Sequence, residues 1–105
     1  MKVGIIQQRN TDDVVANRQA LISKIRQLAK QGAQLVVLPE LHDSLYFCQV
    51  ESVDNFDLAV KIPGNETAEY AAVAKECGIV LVTSMFEKRS TGLYHNTAVV
   101  YDTDG

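Results

Sequence analysis

Residues 35–40, Leu35-Val36-Val37-Leu38-Pro39-Glu40, decide the fold. Four successive apolar residues lack the polar alternation of a strand with one wet face. They are also too few for a buried helix. They predict a strand of a parallel sheet, covered on both faces and ended at Pro39, which has no N–H to offer the ladder. Immediately upstream, Lys30-Gln31-Gly32 is a helix stop: a cation in the last turn, then a glycine able to take positive φ. Further back, Val14, Leu21, Ile25 and Leu28, with Val15, Ile22 and Ala29 beside them, fall at helical spacing. That pattern leaves Asn17, Arg18, Lys24 and Gln27 for solvent. Thr11 is the expected N-cap, with Asp12 and Asp13 favouring the positive end of the helix dipole. Val3-Gly4-Ile5-Ile6 is a second short apolar run and reads as another strand buried on both faces.

Downstream, residues 41–61 mix aromatics with acids and show no clean period, so a loop with a short helix is expected. Ile62-Pro63-Gly64-Asn65 reads as a turn and cap. Tyr70, Val73, Ala74 and Cys77 then share one face of a second helix, stopped by Gly78. Residues 79–83 form a strand, and Met85-Phe86-Glu87 continues past it into a fourth. Ser90-Thr91-Gly92 is a turn, 96–101 the next strand, and Asp102-Thr103-Asp104-Gly105 a hairpin turn. The order β-α-β-α-β followed by a hairpin predicts an α/β fold with a mixed sheet. A strand running into such a turn calls for a following partner. Residues 1–105 are therefore expected to be the truncated N-terminal portion of a single longer domain.

Composition narrows the function. Of 105 residues 47% are hydrophobic and 22% charged, so the chain is globular rather than disordered. Ten Lys and Arg against thirteen Asp and Glu give a net charge of −3, which argues against the basic face of a nucleic-acid binder. Two cysteines, Cys48 and Cys77, are too few for a disulfide scaffold and form no CxxC pair. The N-terminus lacks the apolar run and cleavage site of a signal peptide, and no apolar run is long enough to cross a bilayer. A reduced, cytoplasmic setting without a membrane partner is expected.

Glu40 is the leading candidate for chemistry. The carboxyl ends of strands line the ligand crevice in open α/β sheets. A carboxylate there, beside apolar walls, suits a general base. A helix-start acid or a solvated loop residue could occupy the same position, and position alone leaves these readings level. Glu40, His42 and Asp43 match no standard metal spacing, so a solvated or locally bonded loop is expected around them. His95 precedes a strand and reads as a structural or surface histidine. Cys77 reads as a buried inert thiol. Cys48 has no activating base near it in sequence. Tyr46 and Phe47 could wall a substrate pocket or pack against the sheet. There is no GxGxxG, Walker loop or GxSxG elbow.

Several pieces together resemble the nitrilase-like carbon–nitrogen hydrolases. These are residues 3–8, Leu35-Val36-Val37-Leu38-Pro39-Glu40-Leu41, Tyr46-Phe47-Cys48-Gln49, Ile62-Pro63-Gly64, Phe86-Glu87-Lys88 and His95-Asn96-Thr97-Ala98-Val99-Val100-Tyr101-Asp102. They follow the family's order and span essentially the whole chain. The stretch around Tyr46 looks most like the N-carbamoylputrescine amidase branch. The resemblance implies the N-terminal part of a four-layer α-β-β-α sandwich, with helices on one face of this sheet. It implies hydrolysis of a non-peptide amide or carbamoyl C–N bond by a Glu-Lys-Cys triad, with Glu40 as general base and Tyr46 and Phe47 at the substrate. Lys88 does not match the family's catalytic Lys motif, and neither Cys48 nor Cys77 matches the nucleophile's Cys-Trp-Asp-like setting. Those two roles stay unassigned, so residues 1–105 alone are expected to be inactive. The resemblance further implies a small-molecule amide or carbamoyl substrate, no cofactor or metal, and a homo-oligomer. From another class, a non-catalytic α/β interaction module is the alternative.

Overall fold

The computed structural model describes residues 1–40, 42 and 59–105. Strand β1 (Val3–Ile5), helix α1 (Val14–Lys30), β2 (Leu35–Val37), α2 (Asn65–Cys77), β3 (Val80–Ser90) and β4 (Leu93–Tyr101) follow one another along the chain. The four strands lie in the sheet in that same order. β1, β2 and β3 are parallel, with Val3 beside Leu35 and Leu35 beside Val80. β4 folds back antiparallel on β3, from Leu81 opposite Tyr101 to Ser90 opposite Leu93, with an irregularity between Lys88 and Ser90. This is the mixed α/β sheet that the strand and helix signals imply.

Helix α1 starts two residues later than the Thr11 cap would place it. Asp13 is the N-cap: its backbone is extended and its carboxylate accepts from Ala16 N at 3.0 Å. Thr11 Oγ1 instead accepts from Asp13 N at 3.2 Å. No acid lies in the first turn. Asn17, expected in solvent, is buried: its Oδ1 accepts from Thr11 N at 2.9 Å and its Nδ2 donates to Thr11 O at 2.8 Å. A buried amide is tolerable when its polar atoms are paired in this way. Helix α2 ends as the sequence implies, on Gly78 at φ 63°. It begins on Gly64, whose N–H donates to Thr67 Oγ1 at 2.7 Å. A Cβ at Gly64 would lie 2.5 Å from Lys61 O, so the position excludes a side chain by contact.

Both helices cover one face of the sheet. Leu21, Ile25, Tyr70 and Ala74 meet Val36 and Leu81 in a core where all six are 0% exposed. Along the strands the covered positions alternate with open ones, and Ile6, Leu38 and Met85 lie beneath the helices. The expectation that the first two strands are buried on both faces is corrected among the described residues: Val3 and Ile5 are 51% and 71% exposed, and Leu35 and Val37 are half-buried. The outer face is nonetheless apolar. Across the helix pair, Arg26 forks onto Glu76, with Nε donating at 2.7 Å and Nη2 at 3.2 Å. Those hydrogen bonds hold the Glu76 carboxyl below its usual range. Both side chains are about half exposed, so the pair adds little stability. Cys77, expected buried, is only partly covered; burial still pushes its thiol up, as expected of an unreactive sulfur. The separate fourth strand expected at Met85-Phe86-Glu87 is the continuation of β3, which pairs with β4 from Leu81 to Ser90.

Candidate functional site

The Leu38 N–H still bonds Val82 O at 2.9 Å, and Pro39 ends the ladder there. Glu40 is thus delivered at the carboxyl end of β2, an inner strand with parallel neighbours on both sides. Its Oε1 accepts from Asn96 Nδ2 at 2.7 Å, and Asn96 Oδ1 accepts from Ser84 Oγ at 3.0 Å. Asn96 stands opposite Phe86 and Ser84 opposite Ala98 in the β3–β4 ladder. These positions alternate with the covered ones, so Ser84 and Asn96 stand on the face away from the helices. Phe86 stacks on Tyr94 beside them, ring centroids 5.6 Å apart. Glu40 is exposed among the described residues, so the apolar walls expected around it are not found there.

Two residues further on, the chain turns inward. His42 is 1% exposed, its ring meeting Tyr70 edge-on at 4.9 Å between centroids. Tyr70 Oη lies 3.3 Å from His42 Nδ1, and Asn10 Nδ2 donates to His42 O at 2.7 Å. Asn10 accepts in turn from Gln8 Nε2 at 2.8 Å, and Lys24 Nζ donates to Gln8 Oε1 at 2.8 Å. The solvated or locally bonded loop expected at His42 is therefore corrected: this histidine is a buried anchor whose long-range bonds tie the loop after β2 to the loop after β1 and to α2. Where the chain returns to β3, Val60 N donates to Phe86 O at 2.8 Å and Lys88 N to Val60 O at 2.7 Å. Glu87 between them is nearly buried and accepts from Thr97 Oγ1 at 2.8 Å.

Tyr46, Phe47, Cys48 and Asp43 lie outside the described residues. His95 is exposed on β4 opposite Glu87, consistent with a surface histidine, and Lys88 lies in β3. Among the described residues no group of three His, Cys, Asp or Glu could hold a metal ion. No helix there is long and apolar enough to cross a membrane. The structure thus brings together Glu40, Asn96 and Ser84, the latter two unforeseen. Asn is depleted in strands, and an Asn inside an apolar β4 was the available signal. Chemically, the trio is a carboxylate with one oxygen held by an amide donor, an arrangement able to accept a proton in a fixed direction.

A family model described as carbon-nitrogen hydrolase matches residues 2–105. The citrullinase of Francisella tularensis is 37% identical over 106 residues, covering 100% of this chain and 37% of the relative. The N-carbamoylputrescine amidase of Solanum lycopersicum is 33% identical over 104 residues, covering 98% of this chain and 34% of the relative. The crystal structure of a carbon-nitrogen hydrolase from Helicobacter pylori G27 superposes with a TM-score of 0.90 at 36% identity, over 97% of this chain and 35% of that one. The chain thus spans about a third of the length of the curated relatives it matches. With the sheet order and the match over nearly every residue in agreement, the chain belongs to the carbon-nitrogen hydrolase family of the nitrilase superfamily.

Proposed function

We propose that the whole protein cleaves a carbamoyl or amide C–N bond of a small non-peptide molecule, N-carbamoylputrescine being the first choice, with Glu40 as general base. One observation carries the reading: the Glu40 carboxylate stands at the carboxyl end of an inner parallel strand, oriented by a side-chain amide. Two of the similar relatives bear the names citrullinase and N-carbamoylputrescine amidase. Citrulline and N-carbamoylputrescine share a terminal ureido group, which supports a carbamoyl substrate. In this scheme a cysteine thiol attacks the carbamoyl carbon as Glu40 takes its proton. Glu40 then hands that proton to the leaving amine and activates the water that releases the covalent intermediate. A lysine stabilises the oxyanion. No segment of residues 1–105 matches the motifs for that lysine or cysteine, so Glu40 is the triad member assigned to this chain.

Steady-state kinetics of the whole protein on N-carbamoylputrescine, citrulline and a simple aliphatic amide test the reading. Glu40→Gln keeps the shape and removes the proton acceptor, so turnover should fall roughly 10²–10⁴-fold. Glu66→Gln, in the first turn of α2, should leave turnover nearly intact. Near-normal turnover in Glu40→Gln, or a loss explained by unfolding in a thermal melt, overturns the assignment. Hydrolysis of the aliphatic amide alone overturns the carbamoyl substrate while leaving the base in place.

A further inference from the structure

The reaction scheme uses Glu40 but says nothing of what aims it. Glu40 lies three positions past Val37, the last residue of β2, where among the described residues no ladder bond holds it, and a glutamate side chain has three torsions to order. Resting on the reading of Glu40 as base, we propose that Asn96 is its positioning residue and that Ser84 braces the Asn96 amide.

The hydrogen-bond chemistry sets the direction of each contact. An ionised carboxylate can only accept, so the Asn96 atom 2.7 Å from Glu40 Oε1 must be the amide nitrogen. That places Asn96 Oδ1 toward Ser84, whose hydroxyl donates to it at 3.0 Å. The acceptor-only carboxylate sets the amide orientation, and the Ser84 hydroxyl braces it by donating to the amide oxygen. Bonds from a neutral donor to an ionised acceptor are shorter and stronger than neutral pairs, in keeping with the short Asn96 contact. Engaging Oε1 leaves Oε2 as the oxygen that takes the proton. The platform is rigid: Ser84 and Asn96 belong to β3 and β4, paired without interruption from Leu81 opposite Tyr101 to Lys88 opposite Tyr94. Glu40 and Asn96 are 56 positions apart in sequence, so the hairpin reaches across β2's end to fix a side chain that β2 itself cannot fix.

The test is a mutant cycle on the whole protein with the carbamoyl substrate. Asn96→Ala should lower kcat by roughly 10- to 100-fold, the range for a misdirected catalytic group, while KM changes little. Asn96→Asp keeps the shape but has no donor at neutral pH, and should lose at least as much. Ser84→Ala should show a smaller loss in kcat, restored by Ser84→Thr, which keeps the hydroxyl. Added to Glu40→Gln, Asn96→Ala should cost less than about 2-fold more, because the group it aims is already gone. Full turnover in Asn96→Asp, or a loss from Asn96→Ala that is undiminished in the Glu40→Gln background, overturns the proposal while Glu40 remains the base. Near-normal turnover in Glu40→Gln alone overturns the base assignment and this proposal with it. If Asn96→Ala melts below the assay temperature, Asn96→Asp and Ser84→Ala decide the outcome.

Discussion

Asn10 grips His42 at its carbonyl and Tyr70 meets its ring, two residues after the carboxylate they help to place. Tyr70 is 0% exposed, so its ring and its hydroxyl do separate work. Tyr70→Phe keeps the ring and removes one buried hydrogen-bond partner, and should lower stability by about 1 kcal/mol. Tyr70→Ala opens a cavity and should cost about 3–5 kcal/mol. Urea unfolding of the whole protein measures both, and equal losses would mean that the hydroxyl's hydrogen bonding rather than the ring's packing accounts for the contribution of Tyr70. The placement of Glu40 at the carboxyl end of β2 was legible in the sequence because its signal is local: an apolar run, a proline, then an acid, although that signal left its role level between a base and a loop acid. His42 and Asn96 were not. Their partners lie 28, 32 and 56 positions away, and separations of that size leave no periodic trace in a sequence.

At the scale of elements, the helices were readable from their apolar faces and their glycine stops, while the start of α1 was not. Thr11, Asp12 and Asp13 can all cap a helix, and only the backbone geometry selects Asp13. Asp13→Ala should therefore cost about 1 kcal/mol, within the usual range for a lost N-cap. Thr11→Ala, which loses only longer contacts at 3.2 and 3.3 Å, should cost less. Thermal melts of the two variants check the order, and a larger loss at Thr11 would return the cap to it. Strand lengths escaped the sequence for a related reason. A run of mixed residues such as Glu87-Lys88-Arg89 has weak strand preference, and pairing along β4 extends β3 through it. The uniformly apolar strands did announce an apolar second face, although the described residues leave that face open.

For the whole molecule, that open face has consequences. Val3, Ile5 and Val100 are each more than half exposed on it. Residues 1–105 produced alone should therefore self-associate or bind an apolar dye. Sedimentation at concentrations on the order of tens of micromolar checks this, and a compact monomer that binds no dye would refute it. If the proposed scheme holds, the same preparation should release no ammonia from N-carbamoylputrescine, since neither Cys48 nor Cys77 matches the nucleophile's motif. The order of the sheet carries a different consequence. Among the described residues strand order in space equals strand order in the chain, so none of these strands has to be threaded between two formed earlier. As a ribosome releases the chain, β2 finds β1 waiting, β3 finds β2, and β4 closes on β3 through a turn of two residues. The β3–β4 closure costs little loop entropy, whereas the β1–β2 and β2–β3 pairings each close over a crossover that contains a helix. The β3 edge is thereby capped soonest as synthesis proceeds, while the β1 and β2 edges stay open to a stray chain until a whole helix and the strand after it have been made.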